Sequence, residues 1–355
     1  MTEQIFRIAV LPGDGIGVEV TAAAVAVLRT VEQKLTGVKF ELQEFSVGAG
    51  EYLQRGDPLP LNTFEAIKQY DAILLGAMGL PNVRWPSGLE MTPQIDLRER
   101  LDLYCGLRPV RLYHAHDTPL KQYGAGDIDL LMIRESTEGL FSSRLQQISS
   151  SADEATDIMK VTRAASERLF RAAFREAQRR RRLVTLVDKA NVLPSMAFFR
   201  RVFDEISAEF PDVRTERVYV DAAALYLVQQ PQRFDVMVTE NMFGDILSDL
   251  TGGLVGGLGM APSADIGDEY AVFQPAHGTA PDIAGQGVAN PTATILSVAM
   301  MLNWLAHEET RRGAAMIHRA VEQVFAHPQH RTRDLGGALS TTQMTELVIE
   351  AVLAL

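Results

Sequence analysis

The sequence predicts an α/β fold on two observations. The chain opens with a short apolar run, Phe6-Arg-Ile-Ala-Val-Leu11, then a glycine loop, Pro12-Gly-Asp-Gly-Ile-Gly17, then an Ala/Val-rich helical pattern over 18–31. Strand, tight loop and helix in that order make a βα unit. Short buried runs then alternate with helical patterns along the chain, at 72–75, 129–134, 183–187 and 234–239. At 355 residues the chain suits one large domain or two ordinary ones.

Taken in order, 40–45 alternates and reads as a strand, 62–70 as a short helix and Ala72-Ile-Leu-Leu75 as a buried strand. The Pro- and Gly-containing stretch 80–93 reads as a loop at the end of that strand, where open α/β sheets bind ligands. Residues 95–104 read as helix, 107–113 as extended and 129–134 as a buried strand. The serine-rich stretch 141–152 reads as an arm or loop. Residues 153–182 read as one long amphipathic helix, acidic at its start and basic at its end, an order that suits the helix macrodipole. Strands are expected at 183–187, 214–220 and 234–239, and helices at 196–210 and 222–229. The glycine-rich 252–259 reads as close-packed, 291–306 as a central apolar helix, and 311–355 as helical with a loop near 331–341.

Composition narrows the function. The net charge of −11 argues against a nucleic-acid partner. The single cysteine, Cys105, excludes an internal disulfide and fits a reducing compartment. Met1–Arg7 lacks a basic region followed by an apolar run, and no apolar stretch is long enough for a bilayer, so a cytoplasmic protein without a membrane partner is expected. The glycine loop is spaced G-x-G-x-G rather than G-x-G-x-x-G, and no acidic residue closes a second strand. It is therefore read as a tight turn beside a ligand cleft rather than a dinucleotide fingerprint.

The chemistry-bearing residues begin with Asp245 and Asp249, four apart in Val238-Thr-Glu-Asn-Met-Phe-Gly-Asp-Ile-Leu-Ser-Asp249. On a helix both carboxylates share a face, and hard oxygen donors suit Mg²⁺ or Mn²⁺; the alternative is a solvated helical turn. Asp221, after the 214–220 strand, either completes that metal site or caps the next helix. Arg98, Arg108 and Arg134 stand at strand or helix ends. Each alone is an ordinary surface ion pair, but three together point to a di- or tricarboxylate. Lys189, in Asp188-Lys-Ala-Asn191, is a candidate base or a lysine snorkelling to solvent.

These stretches together resemble the metal-dependent β-decarboxylating dehydrogenases, the family of isopropylmalate, isocitrate, homoisocitrate and tartrate/D-malate dehydrogenases. The likeness runs from Val10–Gly17 to Asn290-Pro-Thr-Ala293. It is carried by Leu97-Arg98 with Leu107-Arg-Pro109, Arg134-Glu-Ser-Thr-Glu-Gly139, Asp188-Lys-Ala-Asn-Val192, Asn241–Asp249 and His277-Gly-Thr-Ala-Pro-Asp282. It implies an isopropylmalate dehydrogenase-like two-domain α/β fold that is not a true Rossmann fold. A discontinuous NAD-binding domain would comprise 1–103 and 256–355, and a central domain, 104–255, would carry the dimer interface and an arm. It implies that Arg98, Arg108 and Arg134 hold the malate carboxylates, and that Lys189 acts on the 2-hydroxyl. Asp221, Asp245 and Asp249 would bind Mg²⁺ or Mn²⁺, with Lys189 and Asp221 coming from the other subunit of a homodimer. His277, Gly278, Thr279, Ala280, Asp282, Asn290 and Asn191 would line the cofactor. A carboxylate at Asp282 would favour NAD over NADP, because it accepts from a ribose hydroxyl and repels a 2′-phosphate.

Two positions depart from the family pattern. Phe141 stands where the family has the tyrosine that protonates the enol. Three outcomes follow: water or a hydroxyl such as Thr137, Ser142 or Ser143 substitutes; oxidation proceeds without efficient decarboxylation; or the chain is a weakly active regulatory subunit. In Met91-Thr-Pro-Gln-Ile-Asp-Leu97, the glutamate and paired leucines of isopropylmalate enzymes correspond to Met91, Gln94 and Ile95. Thr92 and Gln94 fall where isocitrate enzymes have small polar residues. A small or polar C3 substituent is expected, in an isopropylmalate/tartrate/D-malate-like acid, with isocitrate- or homoisocitrate-type acids as the alternative. Pro93 is expected to disturb the start of that helix.

Overall fold

A computed structural model describes residues 3–145 and 153–355. The expected arm at 141–152 thus lies largely outside the described residues. In the first part of the chain, β1 (Gln4–Gly13) leads into α1 (Gly17–Lys34), β2 (Val38–Glu44), α2 (Ala49–Arg55), α3 (Leu61–Ile67), β3 (Ala72–Ala77) and α4 (Pro93–Arg100). The middle holds β4 (Cys105–Arg111), β5 (Asp129–Glu135), α5 (Arg163–Gln178), β6 (Leu183–Asp188), α6 (Pro194–Ser207), β7 (Arg214–Tyr219), α7 (Val220–Gln229), β8 (Val236–Thr239) and α8 (Asn241–Gly253). The chain continues with β9 (Pro262–Ile266), β10 (Ala271–Pro275), α9 (Thr292–Trp304), α10 (Glu308–Phe325) and α11 (Thr341–Ala354).

Among the described residues the strands form one ten-stranded sheet, ordered β2-β1-β3-β10-β9-β4-β5-β8-β6-β7. Its two wings are parallel, and the β10-β9-β4-β5 pairings between them are antiparallel. This order differs from the doubly wound dinucleotide fold, as expected. Both faces of each wing are covered, so successive residues of one strand enter different cores. Ile8 and Val10 pack with α1, α9 and α10, whereas Ala9 and Leu11 pack with Phe64 and Leu97. Likewise Leu131 and Ile133 join the Phe170/Phe199/Phe203 core, and Leu130 and Met132 join Leu227 and Phe234.

Helix α9 is central, as its apolar sequence predicts. Its buried Ser297 Oγ donates toward Gln274 O at 2.8 Å and lies 3.3 Å from Ser263 N, so one hydroxyl ties both strands of the β9–β10 hairpin to the helix. The glycine loop is a close-approach turn. Gly13 and Gly15 have φ of 73° and 57°, and a Cβ on Gly15 would stand 2.1 Å from Thr279 O. Ile16 N donates to that same carbonyl at 2.8 Å, locking the loop against 276–283. Asp14 accepts from Ala49, Gly50 and Gly79 amides, each at 2.8 Å, and so gathers three loops.

Several expectations require correction. Residues 153–182 do not form one helix: Thr162 caps α5, its Oγ1 accepting from Ala165 N, and Lys160 instead pairs with Gly139 as an isolated bridge. Glu138 fixes the turn by accepting from Thr162 N and Oγ1, both at 2.8 Å. Thus Asp153, Glu154 and Asp157 precede the helix, and the macrodipole argument fails for them. Helix α4 ends at Arg100, and Pro93 opens it at the first turn rather than disturbing it, where a missing N–H costs nothing. The cap of α7 is Tyr219, with Asp221 in the first turn, so the capping reading of Asp221 is not met. Helix α2 and the strands β9 and β10 had no counterpart in the sequence reading.

Gly15→Ala should destabilise the protein by at least roughly 1–2 kcal/mol from conformation alone, with the clash against Thr279 in addition. A lowered Tm in thermal unfolding would show it, and an unchanged Tm would mean that the loop is not held as described.

Candidate active site

The three arginines converge. Arg98 from the last turn of α4, Arg108 from β4 and Arg134 from β5 are all buried, and all line a cavity of about 230 Å³. Strand alternation is the cause: Arg108, Arg134, Ser263 and Gln274 face the cavity, while Leu107, Leu131, Ala264 and Phe273 face the other side of the sheet. Gly244 of α8 permits the close approach, since a Cβ there would lie 2.7 Å from Arg134 Cβ.

A fourth charge, absent from the sequence reading, sits at their centre. Asp265 of β9 is fully buried. Its Oδ2 accepts from Arg98 Nε at 2.9 Å and Gln274 Nε2 at 2.7 Å, and its Oδ1 accepts from Arg108 Nη2 at 3.3 Å. Burial would push its carboxyl up, but Arg98, Arg108 and Arg134 outweigh that and hold it at about 2. The available signal was the alternation Pro262-Ser-Ala-Asp-Ile266, which puts an acid on the arginine side of a strand. Arg134 Nε and Nη2 donate to Asn241 Oδ1 at 2.9 and 2.7 Å, and its Nη1 reaches Asp245. Burial, then repulsion from Arg98, lowers Arg134 to about 10, so it stays cationic at neutral pH.

Asp245 and Asp249 share one face of α8 and line the cavity, as the four-residue spacing requires. Asp249 pairs with no cation among the described residues. Desolvation, then repulsion from Asp245, raises its pKa, a strain that a divalent cation would relieve. The oxygen donors fit Mg²⁺ or Mn²⁺. Asp221 does not join them: its Oδ1 lies 2.6 Å from Lys189 Nζ, and neither residue lines the cavity. Within one chain, no group of three His, Cys, Asp or Glu among the described residues could hold a metal.

Phe141 lines the cavity, its ring centroid 5.3 Å from Arg134 Cζ. The three hydroxyls that were candidates, beside water, to substitute for a tyrosine are engaged elsewhere: Thr137 with Glu135, Ser142 with Gly139 O and Ser143 with Ile158 O. Of the specificity positions, Gln94 and Ile95 reach the cavity, whereas Met91 and Thr92 do not. The buried Gln94 Oε1 has no partner.

At one end the cavity is walled by His277 and Gly278. The buried His277 Nε2 lacks a partner, and a side chain on Gly278 would meet nothing, so the wall is open to a bound molecule at Gly278. Thr279 is buried, Ala280 adopts φ 37°, and Asp282 is exposed nearby. Asn290 is held by Asp334, its Nδ2 donating at 3.1 Å. Asn191 is exposed on the Lys189 loop, away from this wall.

The comparisons agree with this arrangement. The family model of isocitrate/isopropylmalate dehydrogenases matches residues 7–348, and the chain belongs to that family of decarboxylating hydroxy-acid dehydrogenases. It is 44% identical to 3-isopropylmalate dehydrogenase of Moorella thermoacetica, over 97% of this chain and 98% of that one. It is 41% identical to 3-isopropylmalate dehydrogenase of Aquifex aeolicus, over 97% and 96%. Isocitrate dehydrogenase from Methylococcus capsulatus superposes with a TM-score of 0.87 at 38% identity, covering 98% of this chain and 99% of that one. No helix among the described residues is long and apolar enough to cross a membrane.

Burial depresses the His277 pKa, so as pH falls the unfolded chain takes up that proton first. The stabilisation from a neutral His277 is present above about pH 6.5 and lost as pH falls through the folded value. His277→Gln should therefore lose less stability than wild type between about pH 7.5 and about pH 5.5 in urea unfolding. Equal losses would show that His277 is solvated.

Proposed function

We propose that this chain is an NAD- and divalent-metal-dependent dehydrogenase that oxidises and decarboxylates a malate-type 2-hydroxy dicarboxylic acid. One observation carries the reading: three buried arginines, a carboxylate pair on one helix face and the His277–Gly278 wall meet in a single cavity. The chain's domains would be 1–103 with 256–355, bearing most of the NAD site, and 104–255, bearing the dimer interface. The partition of the cores supports this division.

In this reading Arg98, Arg108 and Arg134 grip the substrate carboxylates and orient C2 toward the cofactor. Gln94 and Ile95, with Thr92 behind them, shape the space for the C3 substituent. Asp245 and Asp249 hold Mg²⁺ or Mn²⁺ with Asp221 of the partner subunit, and the cation supplies acidification of the 2-hydroxyl and polarisation of the 2-carbonyl. Lys189 of the partner subunit takes the hydroxyl proton. His277, Gly278, Thr279, Ala280 and Asn290 cradle the adenosine, Asn191 approaches from the neighbouring subunit, and Asp282 selects NAD by repelling a 2′-phosphate. Phe141 retains packing against Arg134 but carries no proton, so water delivers the last proton to C3.

Lys189 and Asp221 stand outside the cavity of their own chain, which supports the reading of a homodimer with shared sites. The exposed Val192, Leu225, Val228 and Ile246, on and beside α7 and α8, offer an apolar face for the second copy. Mixed dimers of Lys189→Ala and Asp245→Ala chains should regain activity that neither variant has alone. Mixtures as inactive as the separate variants would show that the site is not shared.

The substrate is tested by following NADH and released carbon dioxide together, with NAD⁺ and Mn²⁺, over D-malate, tartrate, isopropylmalate, isocitrate and homoisocitrate. Matched NADH and carbon dioxide from a malate-type acid are expected, with Phe141→Tyr raising kcat. NADH without carbon dioxide would stop the reaction at oxidation, and no turnover of any acid would sink the proposal.

A further inference from the structure

A second cavity, of about 900 Å³, lies on the opposite face of the sheet from the active site and has no part in the proposed function. Its volume is within the range of about 300–1,000 Å³ usual for small-molecule sites. Strand alternation separates the two cavities. Arg108 faces the active site between Leu107 and Pro109, which line the back cavity, and Asp265 meets the arginines between Ala264 and Ile266, which do the same. The back cavity has an apolar floor, completed by Met300 and Trp304 of α9, and a basic rim. Its ionised groups are Arg111, Arg175, Arg179, Arg180 and Arg311 against Asp129 and Glu176, in a chain whose net charge is −11. Three of these arginines are neutralised: Arg179 pairs with Glu176 at 2.8 Å, Arg180 with Asp129 at 2.6 Å and Asp235 at 2.8 Å, and Arg111 with Glu322 at 2.6 Å. Arg175 of α5 and Arg311 of α10 enter no ion pair among the described residues. The remaining titratable groups add no charge at neutral pH: burial, then Arg111, depresses His318, and burial raises Tyr104, Cys105 and Tyr113.

We infer that the back cavity is a binding site for an apolar monocarboxylate, whose body covers the floor beside Met300 and Trp304 and whose carboxylate meets Arg175 and Arg311. Removing the apolar floor from water favours the body, and charge-assisted hydrogen bonds from guanidinium favour the head. A neutral apolar molecule gains nothing from the two exposed arginines. A polyanion sets further charge against the apolar floor and against Asp129 and Glu176. The site stands apart from the function proposed above, since it uses none of the residues assigned to substrate, metal or cofactor.

The test titrates 4-phenylbutyrate and its neutral amide, 4-phenylbutanamide, into the full-length protein by calorimetry. The chain has two tryptophans, so Trp85→Phe leaves Trp304 as a fluorescent reporter inside the cavity. The carboxylate should bind with a Kd below about 1 mM, shift Trp304 emission, and bind about 10-fold tighter than the amide. Arg175→Gln/Arg311→Gln, which changes two exposed side chains, should abolish that preference and leave amide binding unchanged. Excess succinate, a dicarboxylate suited to Arg98, Arg108 and Arg134, should leave phenylbutyrate bound. No binding by about 10 mM, binding that leaves Trp304 emission unchanged, or a preference that survives the double substitution would each overturn the inference. Displacement by succinate would place the anion in the other cavity and overturn it equally. Because the readouts are binding alone, loss of the proposed dehydrogenase activity in any assay would leave this result standing.

Discussion

Three guanidinium groups converge on one face of the sheet only because a carboxylate is buried among them. Arg98, Arg108 and Arg134 come from three different elements, and like charges at such range repel strongly when water is excluded. Asp265 ties α4 to β4 across β9, and its loss would leave cations buried without a partner, a deficit of about 3–5 kcal/mol by analogy with broken buried pairs. Much of the surrounding architecture serves this ion. Gly106 leaves room for it, since a Cβ there would stand 3.1 Å from Asp265 Oδ1, and Ser297 of the central helix fastens both strands of the hairpin that carries it.

The hairpin that carries this carboxylate lies where the sheet is antiparallel. A parallel strand needs a long crossover, whereas β9 and β10 are joined by a short connection and enter between β3 and β4. Successive residues of the hairpin point to opposite faces, so Ser263 and Gln274 reach the cavity while Ala264 and Phe273 pack into apolar surroundings. Because the pleat has a period of two, a slip of one residue in β9 would turn Asp265 away from the arginines. The electrostatics of the site therefore depend on strand register, and register depends on the apolar side.

Much of the fold was legible because both wings repeat the strand-to-helix pattern with near-continuous apolar strands. The carboxylate pair on α8 was legible from its four-residue spacing; Arg98 and Arg134 stand near element ends as expected, whereas Arg108 lies in the middle of β4 and reaches the cavity through strand alternation. What escaped was set by tertiary structure. The acidic 153–157 stretch looked like a helix start, but Glu138 and Thr162 begin the helix later. The β9–β10 hairpin is short and rich in Pro, Ser and Ala, with little local strand signal, so Asp265 was overlooked along with it. Within one chain Asp221 and Lys189 pair with each other, apart from Asp245; the family resemblance assigns them to the site of the other subunit. The proposed function gives them a role through a second chain, whose position no local pattern encodes.

Phe141 shows how one substitution can divide a catalytic task. An aromatic ring at this position does two separable things: it presents a π face to a cation, and, if it is a tyrosine, it offers a proton. The first is a property of the ring quadrupole and survives in phenylalanine, as the 5.3 Å approach of Arg134 indicates. The ring also lines the cavity beside a guanidinium that Asn241 and Asp245 hold in place. Carboxylate binding and orientation for oxidation therefore need nothing from the missing hydroxyl. Only a proton transfer that follows the loss of carbon dioxide is exposed to it. Thr137, Ser142 and Ser143 direct their hydroxyls to neighbouring acceptors, which is why the proposed function gives that step to solvent. In the proposed function, packing against Arg134 and delivery of the last proton are thus assigned to different partners, the Phe141 ring and water.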